Sequence, residues 1–339
     1  MMKFSVSVAS PFLIRCFISV CFLVCYIQQA STQVLTFVEL NCENLFDTRH
    51  DEGKNDIEFT PDGQRHWNAS RYWRKLNHTG QAILACADDL PDLVALIEVE
   101  NDSVLHDLTR RSLLRNAGYN YLMTESPDER GIDVALLYQP AVFRPLCYET
   151  VSVPLIKNMR PTRDILYVRG ELQNGDTLHV FVVHAPSRNG GEMESRPFRM
   201  QVAKTLTEAI IQLVPDEKAL VVVAGDFNDT LETPSMRHIT MHRLISATKE
   251  STGNNGARTN YRYQGQWSQI DHVLCSPTML QYVTEAYVND APFLIEEDIR
   301  YGGMKPRRTF NGYHYQRGFS DHLPLVVRFR HNTTKNRLP

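Results

Sequence analysis

Short, almost wholly apolar segments recur along the chain, and most of them are rich in β-branched residues. Their length and composition are typical of strands buried inside a protein. Strands buried on both faces are expected where helices cover a sheet on each side. The predicted strands cover residues 34–40, 93–97, 134–138, 165–168, 178–183, 220–224, 270–275 and 323–327.

Amphipathic segments lie between several of these strands. Apolar residues recur in them at near-helical spacing, as Leu76 and Ile83 do in the first segment. The predicted helices cover residues 71–87, 101–114 and 197–214. Buried strands alternating with helices predict a layered α/β fold. Pro and Gly are scattered rather than gathered into a linker, so residues 33–331 are predicted to form one domain, followed by a short polar tail at 332–339.

The first 30 residues have the pattern of a secretory signal peptide. Lys3 and Arg15 are their only charged residues, an apolar run covers 16–27, and Ala30 is a small residue suited to a cleavage point. An uncleaved membrane anchor is the alternative. No other segment is apolar enough for long enough to span a bilayer. The sequence therefore predicts an exported protein that is periplasmic, secreted or attached to the cell surface, with no membrane span in the mature chain.

The composition is that of an ordinary globular protein, with 42% hydrophobic and 22% charged residues. The formal net charge is −3, and loss of Lys3 and Arg15 with the leader would make it −5. This charge does not favour non-specific binding of nucleic acid. An N-glycosylation sequon at Asn228 falls inside the motif described below, where a glycan would obstruct the site, and this favours a bacterial source.

Four of the seven cysteines lie beyond the leader, namely Cys42, Cys86, Cys147 and Cys275. None belongs to a CxxC pair, so thiolate zinc binding is not expected. Cys42 and Cys275 lie in apolar, strand-like segments, which favours free thiols in the core. A disulfide remains the alternative in an oxidising compartment.

Polar residues with oxygen donors stand at the ends of the predicted strands. Strand ends in packed α/β sheets converge on one rim, the usual place for a ligand. We therefore expect these side chains to lie together. The segments are Asn41-Cys42-Glu43-Asn44-Leu45, Leu96-Ile97-Glu98, His184-Ala185-Pro186, Gly225-Asp226-Phe227-Asn228, Ile270-Asp271 and Ser320-Asp321-His322.

The donor atoms indicate the chemistry. The carboxylates and amides in these segments offer hard oxygen ligands, which suit Mg²⁺, with Mn²⁺ or Ca²⁺ as alternatives, better than zinc. Two histidines accompany them, His184 and His322, and a histidine with its ordinary pKa near neutrality is suited to proton transfer. Since there is no motif for a nucleophilic Ser or Cys, the set indicates metal-assisted attack of water on phosphorus.

In order and spacing, these segments resemble the motifs of the endonuclease/exonuclease/phosphatase superfamily. Gly225-Asp226-Phe227-Asn228 is the most specific single motif, and the resemblance spans residues 36–329. It implies the deoxyribonuclease I-like fold, a four-layer α/β sandwich of two packed mixed β-sheets flanked by helices. It also implies a monomeric hydrolase that cleaves phosphate esters with a divalent metal.

The resemblance also implies roles for individual residues. Glu98 is the expected principal metal ligand, assisted by Glu43 and Asn41, and Asp321 lies beside a second metal position. Asp226 is expected to orient or deprotonate the attacking water, and Asn228 beside it is expected to hold the phosphate or the metal. His322 is expected to contact the scissile phosphate while Asp271 orients its ring. His184 occupies the second histidine position, with Asp133 as its expected carboxylate partner.

Three arginines are further candidates for binding the substrate. Arg163 could reach phosphate oxygens, because the guanidinium group matches their geometry. Arg307 and Arg308 lie in a long connection that also carries aromatic residues, directly before Asp321. Such a connection could hold a polyanion, since cations contact phosphates and aromatic rings stack on bases.

The sequence leaves three functions open, because one fold can serve many substrates. An extracellular nuclease or phosphodiesterase, with nucleic acid as substrate, is favoured by the predicted export and by Asn41-Cys42-Glu43-Asn44-Leu45-Phe46-Asp47. A phosphoesterase acting on lipids or small molecules is favoured by the acidic mature chain. A non-catalytic binding protein is disfavoured by the presence of the complete catalytic set.

Overall fold

The structure is a computed structural model that describes residues 32–188 and 190–332. The signal peptide predicted for residues 1–30 lies outside the described residues, as does the predicted polar tail beyond its first residue. Within the described chain, no helix is both long enough and apolar enough to cross a membrane.

The described strands and helices follow one another along the chain as the sequence predicts, with further elements between them. The strands are β1 (Thr32–Leu45), β2 (Leu93–Val99), β3 (Asn120–Met123), β4 (Asp133–Tyr138), β5 (Phe143–Val151), β6 (Ile165–Leu172), β7 (Thr177–His184), β8 (Leu220–Asp226), β9 (Ile245–Ser246), β10 (Tyr261–Tyr263), β11 (Gln266–Ser268), β12 (Asp271–Cys275), β13 (Val283–Val288), β14 (Ile295–Glu297), β15 (Met304–Pro306), β16 (Phe310–Asn311), β17 (His314–Tyr315) and β18 (Leu325–Asn332). The α-helices are α1 (Ala69–Leu84), α2 (Asp102–Arg110), α3 (Glu192–Leu213), α4 (Pro234–Met241) and α5 (Pro277–Leu280), and 3₁₀ turns cover Ile57–Phe59 and Leu113–Asn116.

Two six-stranded sheets form the centre of the fold. Their strand orders are β13-β18-β1-β2-β4-β3 and β5-β6-β7-β8-β12-β9. Each sheet has one parallel pair, β1 with β2 and β7 with β8, and its other neighbouring strands are antiparallel. Both sheets are therefore mixed. Helix α1 connects the first parallel pair and helix α3 the second, so the predicted sandwich of two mixed sheets with helices is confirmed.

The burial of β8 shows how the layers pack. Val222 and Ala224 belong to the core between the two sheets, whereas Val221 and Val223 belong to a second core that includes α3. Successive side chains of a strand point to opposite faces, so β8 is covered on both sides. This double coverage is why its sequence is apolar at nearly every position and why the strand was easy to predict.

Two helices begin at an asparagine that caps them. The side chain of Asn68 accepts a hydrogen bond from the backbone N–H of Arg71 at the start of α1, and Asn101 accepts one from Val104 at the start of α2. Helix α3 begins at Glu192, five residues earlier than predicted. Proline is typical of a helix start, but here Pro197 lies inside the helix, and acidic residues occupy its first turn, where the helix dipole favours them.

Several elements were not predicted from the sequence. Strand β5 is an edge strand on which exposed and partly buried positions alternate, so it lacks the apolar run that marks the inner strands. The long connection before Asp321 is partly ordered as two short hairpins, β14 with β15 and β16 with β17. The four cysteines beyond the leader are free thiols, and Cys42, Cys86 and Cys275 are buried, as the core interpretation predicted.

Candidate active site

The ends of β1, β2, β7, β8 and β12 meet at one edge of the sandwich and bring the predicted site residues together. The pairing of β8 with β12 places Asp271 opposite Asp226, and the pairing of β7 with β8 places His184 beside Asp226. In packed α/β sheets this edge is the usual place for a ligand.

Strand β1 continues through the first motif and contributes Asn41 and Glu43. The Asn41 side chain donates a hydrogen bond to the Asp226 carboxylate over 3.1 Å and accepts one from the backbone N–H of Glu43 over 2.9 Å. The two carboxylate oxygens of Glu43 accept hydrogen bonds from the backbone N–H groups of Thr309 (2.5 Å) and Phe310 (3.1 Å). Glu43 thus anchors the start of β16, a role that the sequence did not reveal, and its coordination of a metal stays a prediction.

Glu98 stands at an irregular point of β2, where the register with β4 shifts. Its Oε2 accepts a hydrogen bond from the backbone N–H of Asn44 over 2.8 Å, and its Oε1 lies 3.9 Å from both Arg130 Nη1 and His184 Nε2. The backbone of Glu98 has a φ of 64°, and that of Asn44 has a φ of 61°. Such values are rare for residues other than glycine and tend to mark functional sites.

The Gly225–Asn228 segment positions Asp226 by a tight local structure. Asp226 Oδ1 accepts a hydrogen bond from the backbone N–H of Asn228 over 2.8 Å, and the Asn228 side chain donates to the carbonyl of Ala185 over 3.1 Å. Gly225 has a φ of 148°, and a side chain there would collide with the carbonyl oxygen of Val183. Glycine at this position therefore allows β8 to approach β7 closely.

Asp271 and His322 form a buried pair. His322 Nδ1 lies 2.7 Å from Asp271 Oδ2, which also accepts a hydrogen bond from the side chain of Asn260. His322 packs against the ring of Tyr261 at 4.7 Å between ring centroids. A carboxylate on one ring nitrogen fixes the orientation of the imidazole, so the predicted pairing of Asp271 with His322 is confirmed in the structure.

Asp321 lies at the open side of the site, where it pairs with Arg308 over 2.5 Å. Its Oδ1 is 3.9 Å from His322 Nε2. The neighbouring Arg307 is directed elsewhere, since its guanidinium group donates to the carbonyl of Phe293 over 3.1 Å and lies over the ring of Phe319. The sequence grouped the two arginines as candidates for substrate binding, but the structure brings only Arg308 to the site.

The predicted pairing of His184 with Asp133 is wrong. The Asp133 carboxylate accepts hydrogen bonds from Thr124 and Ser126, and in the described structure His184 Nδ1 has no hydrogen-bond partner. His184 Nε2 instead faces Glu98 and Asp226, at 3.9 and 3.8 Å. Asp133 holds the turn that precedes its strand, which accounts for an acid at the start of β4.

Arg163 is also engaged by the protein itself. The side chain is only 8% exposed, and it donates to Asp128 over 3.1 Å and to the carbonyl of Ala185 over 2.9 Å. These bonds hold the segment that follows His184. Two nitrogens of the guanidinium group thus bond the scaffold, and a contact of Arg163 with phosphate stays a prediction.

Three residues of the site were not predicted. Arg130, 3.9 Å from Glu98, also donates a hydrogen bond to the side chain of Asn44. Lys75 of α1 is fully buried and donates to Thr309 and to the carbonyl of Phe319. Glu39 is fully buried on β1, behind the pair of Asp226 and Asp271. Lys75 could not be recognised from the sequence, because a lysine on an amphipathic helix usually faces solvent. Glu39 could have been recognised, because an acidic residue within an apolar strand is costly to bury without a function.

The ionisable side chains at this edge shift one another's pKa values. Burial and the charges of Asp271 and Asp226 raise the pKa of Glu39 well above its ordinary range. Burial and the charge of Asp271 also raise the pKa of Asp226. Burial opposes protonation of His322, but the charges and hydrogen bond of its acidic neighbours, first of all Asp271, raise its pKa to about 10.

Neither histidine therefore titrates near neutrality, which differs from the expectation based on the ordinary pKa. Burial and the charges of Arg163 and Arg130 lower the pKa of His184 well below its ordinary value, so His184 is neutral. His322 is an imidazolium ion over the whole physiological range. One histidine can accept a hydrogen bond and the other can supply positive charge.

The donor set fits a hard divalent cation. Glu98, Asp226 and Asn41 offer oxygen atoms only, and Asp226, Asp271 and His322 bring one potential ligand atom each to within 4.8 Å of one another. Since Asp271 and His322 already bond each other, the oxygens of Glu98 and Asp226 are the better candidates for ligands. Buried acids that repel one another are the setting that a cation would stabilise.

Comparison with known proteins relates the chain to one group. The family model described as Endonuclease/Exonuclease/phosphatase family matches residues 36–331. None of the curated protein sequences compared with the chain matches it.

Solved structures resemble it in fold. A Bacteroides thetaiotaomicron protein of the endonuclease/exonuclease/phosphatase family has a TM-score of 0.59 and 17% identity, over 88% of this chain and 98% of its own. A mannosyl-6-phosphatase from the same species has a TM-score of 0.58 and 17% identity, over 86% and 98%. The human Nocturnin catalytic domain with a bound sulfate anion has a TM-score of 0.55 and 18% identity, over 87% and 94%. At these identities the likeness shows the fold alone.

The charge on His322 provides a test of the site. Asp271→Asn removes the largest contribution that raises the pKa of His322, so we expect that pKa to fall by at least one unit. The folded wild type stabilises the imidazolium form, and this stabilisation is present below the ordinary histidine pKa and lost as the pH rises through about 10. NMR titration of His322 in metal-free protein measures the change.

The exposed Glu297→Gln serves as the control and should leave the titration of His322 unchanged. In Asp271→Asn, the alkaline limb of the kcat/KM profile should move to lower pH with the pKa of His322. An unaltered His322 pKa in Asp271→Asn would show that Asp271 does not hold the charge on this ring.

Proposed function

Because the chain belongs to the endonuclease/exonuclease/phosphatase family, a group of metal-dependent phosphoesterases, we propose that it is a Mg²⁺-dependent phosphodiesterase that cleaves nucleic acid. The observation that carries the proposed chemistry is the contact of Asp226 with Asn41, together with Glu98 and the Asp271–His322 pair, at one strand edge. These residues supply oxygen ligands, a base and a charged histidine within one small volume.

Glu98, assisted by Asn41, would hold the cation. When bound, the cation polarises the phosphate and increases the acidity of the attacking water. Asp226 is oriented by the Asn41 side chain and the Asn228 backbone, and it accepts the proton of the water. A cation beside the Asp226 carboxylate would favour its ionised form, which that role requires.

His322 would donate a hydrogen bond from its Nε2–H to a phosphate oxygen, keeping that proton, while Nδ1 stays bonded to Asp271. A permanent imidazolium ion stabilises the negative charge that grows on the phosphate in the transition state. Arg308, paired with Asp321 at the open side, is the cation best placed to contact a second phosphate or a leaving group.

A cleft beside the site supports a nucleic-acid substrate. It has a volume of about 380 Å³ and begins at Asp321 and Arg308. Tyr263 and Tyr301 lie in its wall and are 59% and 45% exposed. Exposed aromatic rings next to a phosphate site suit the stacking of bases, which is worth about 1–3 kcal/mol for each base.

A small phosphate ester is the second candidate substrate. Several cations of the cleft are already paired with acids, Arg262 with Asp298 and Lys305 with Glu296. The cleft thus offers little unbalanced positive charge for a long phosphate backbone. One structure of similar fold is named a mannosyl-6-phosphatase, in line with such a substrate.

We also propose that the chain is exported, on the basis of the apolar run at 16–27 and its flanking residues. We propose in addition that the exported protein is a monomer. Sequencing the N-terminus of the protein recovered outside the cytoplasm tests the export, since an intact Met1 or purely cytoplasmic protein would contradict cleavage and export.

The first prediction concerns the metal and the base. Activity on a phosphodiester should be lost in EDTA and restored by Mg²⁺ or Mn²⁺. Asp226→Asn should lower kcat at least about 100-fold, because it removes the group that accepts the proton. Glu98→Gln should raise the Mg²⁺ concentration needed for half-maximal activity. Steady-state kinetics at several Mg²⁺ concentrations separate the two effects.

Glu232→Gln, an exposed change six residues after Asp226, is the matched control and should retain full activity. Thermal melts should show that all three variants remain folded. Full activity of the wild-type enzyme after its metal has been removed with EDTA, or full activity of Asp226→Asn, would contradict the proposed mechanism.

The second prediction distinguishes the substrates. If the cleft binds bases, the double variant Tyr263→Ala/Tyr301→Ala should raise KM for a single-stranded oligonucleotide by roughly fivefold or more. Hydrolysis of bis-p-nitrophenyl phosphate should be unchanged, since this ester is too small to reach both tyrosines. Tyr313→Ala is the control, because Tyr313 is 56% exposed but lies outside the cleft. Equal effects on both substrates, or none on either, would favour the small phosphate ester.

A further inference from the structure

A second group of acidic side chains lies behind the candidate active site. Asp51 and Asp56 belong to the loop that follows β1, and Glu100 follows the end of β2. Carboxylate oxygens of the three residues come within 4.8 Å of one another. The residues that contact the catalytic Glu98 are different ones, so the group is separate from the catalytic set.

Glu100 and Asp56 are both buried, but one carboxylate oxygen of Glu100 has no hydrogen-bond partner among the described residues. Glu100 is 5% exposed, and its Oε2 accepts a hydrogen bond from the backbone N–H of Asp47 over 2.6 Å. Its Oε1 is buried and has no hydrogen-bond partner among the described residues. A buried carboxylate oxygen without a partner is costly, so a positively charged ligand at this point would stabilise the fold.

No described basic side chain forms an ion pair with Asp51 or Glu100. His50 contacts one carboxylate oxygen of Asp56, and the backbone N–H of Asp51 donates to the other over 2.7 Å. Lys54 donates to the backbone carbonyls of Ser126 and Asp128. Across residues 32–188 and 190–332, no lysine or arginine forms an ion pair with Asp51, Asp56 or Glu100. Asp47 adds a fourth carboxylate beside Glu100.

We propose that Asp51, Asp56 and Glu100 bind a calcium ion at a structural site distinct from the catalytic centre. Calcium accepts six to eight oxygen ligands in flexible geometry, and an irregular loop that carries several carboxylates and backbone carbonyls is suited to it. Magnesium demands stricter octahedral geometry and retains its water, so this site should prefer Ca²⁺.

The ion would tie the loop after β1 to the end of β2. Glu100 lies two residues after Glu98, and its backbone N–H donates to the carbonyl of Leu45, next to Asn44, which orients Glu98. Binding should therefore raise the melting temperature of the protein, since a ligand that binds only the folded state stabilises it.

Asp51→Asn is the variant that tests the site. Asp51 is exposed and its carboxylate accepts no hydrogen bond in the described structure, so this isosteric change replaces a charged ligand with a weaker neutral one but should leave the fold intact. Glu52→Gln is the matched control, because it removes one exposed negative charge from the same loop. Glu98→Gln is the second control, since it disturbs only the catalytic centre.

Calorimetric titration with CaCl₂ and thermal melts with and without CaCl₂ should be made on the wild type and the three variants after treatment with chelator. We expect Asp51→Asn to weaken one Ca²⁺ site at least tenfold and to abolish the increase in Tm. Glu52→Gln and Glu98→Gln should retain both. If all Ca²⁺ binding of the wild type is lost in Glu98→Gln, or if Asp51→Asn binds Ca²⁺ like the wild type, the structural site does not exist.

Discussion

The repulsion among buried carboxyl groups at one edge of the sandwich is the constraint on which the rest of the site depends. Asp226 and Asp271 face each other across the pairing of β8 and β12, with Glu39 behind them. Each of these carboxyl groups would destabilise the folded protein if it were buried as an uncompensated negative charge. Asp226 accepts hydrogen bonds from Asn41 and Asn228, Asp271 bonds His322, and the raised pKa of Glu39 favours its neutral form.

Several residues of the site reduce the repulsion among these carboxyl groups. The pKa of Glu39 is raised, which favours its neutral form, Asp271 bonds His322 and raises the pKa of its ring, and Arg308 pairs with Asp321. Lys75 brings a buried ammonium group to the segment anchored by Glu43. The remaining unbalanced charge lies around Glu98 and Asp226, which is where a divalent cation would complete the arrangement. The same reasoning applies to Glu100, whose buried Oε1 has no hydrogen-bond partner among the described residues.

Much of the fold followed from the sequence because its inner strands are covered on both faces. Strand β8 is apolar at nearly every position because both of its faces are covered, and it leads directly into the Gly225–Asn228 motif. Both the strand and the site residue Asp226 could therefore be predicted. Edge strand β5 could not, since one exposed side relaxes the demand for apolar residues. The hairpins before Asp321 consist of strands of only two or three residues that are partly exposed, and their sequence resembles that of a loop.

The site was predicted best where strand ends fix the position of a residue. Asp271 and His322 met as expected because the sheet and the final motif bring them together. The predicted pairing of Asp133 with His184 failed, because Asp133 bonds Thr124 and Ser126, which lie in a loop that no motif marks. Arg307 and Arg308 are adjacent in sequence, but their side chains have different partners. Lys75 and Arg130 reach the site from a helix and a loop, so only the tertiary structure could reveal them.

The most direct test of the metal centre is anomalous diffraction from crystals of the protein soaked in MnCl₂. The account predicts an anomalous peak within coordination distance of the Glu98 carboxylate and close to Asn41 and Asp226, and it predicts loss of that peak in Glu98→Gln. Crystals that show no manganese at Glu98, or that keep the same peak in Glu98→Gln, would contradict the assignment of this strand edge as a metal-dependent phosphoesterase centre.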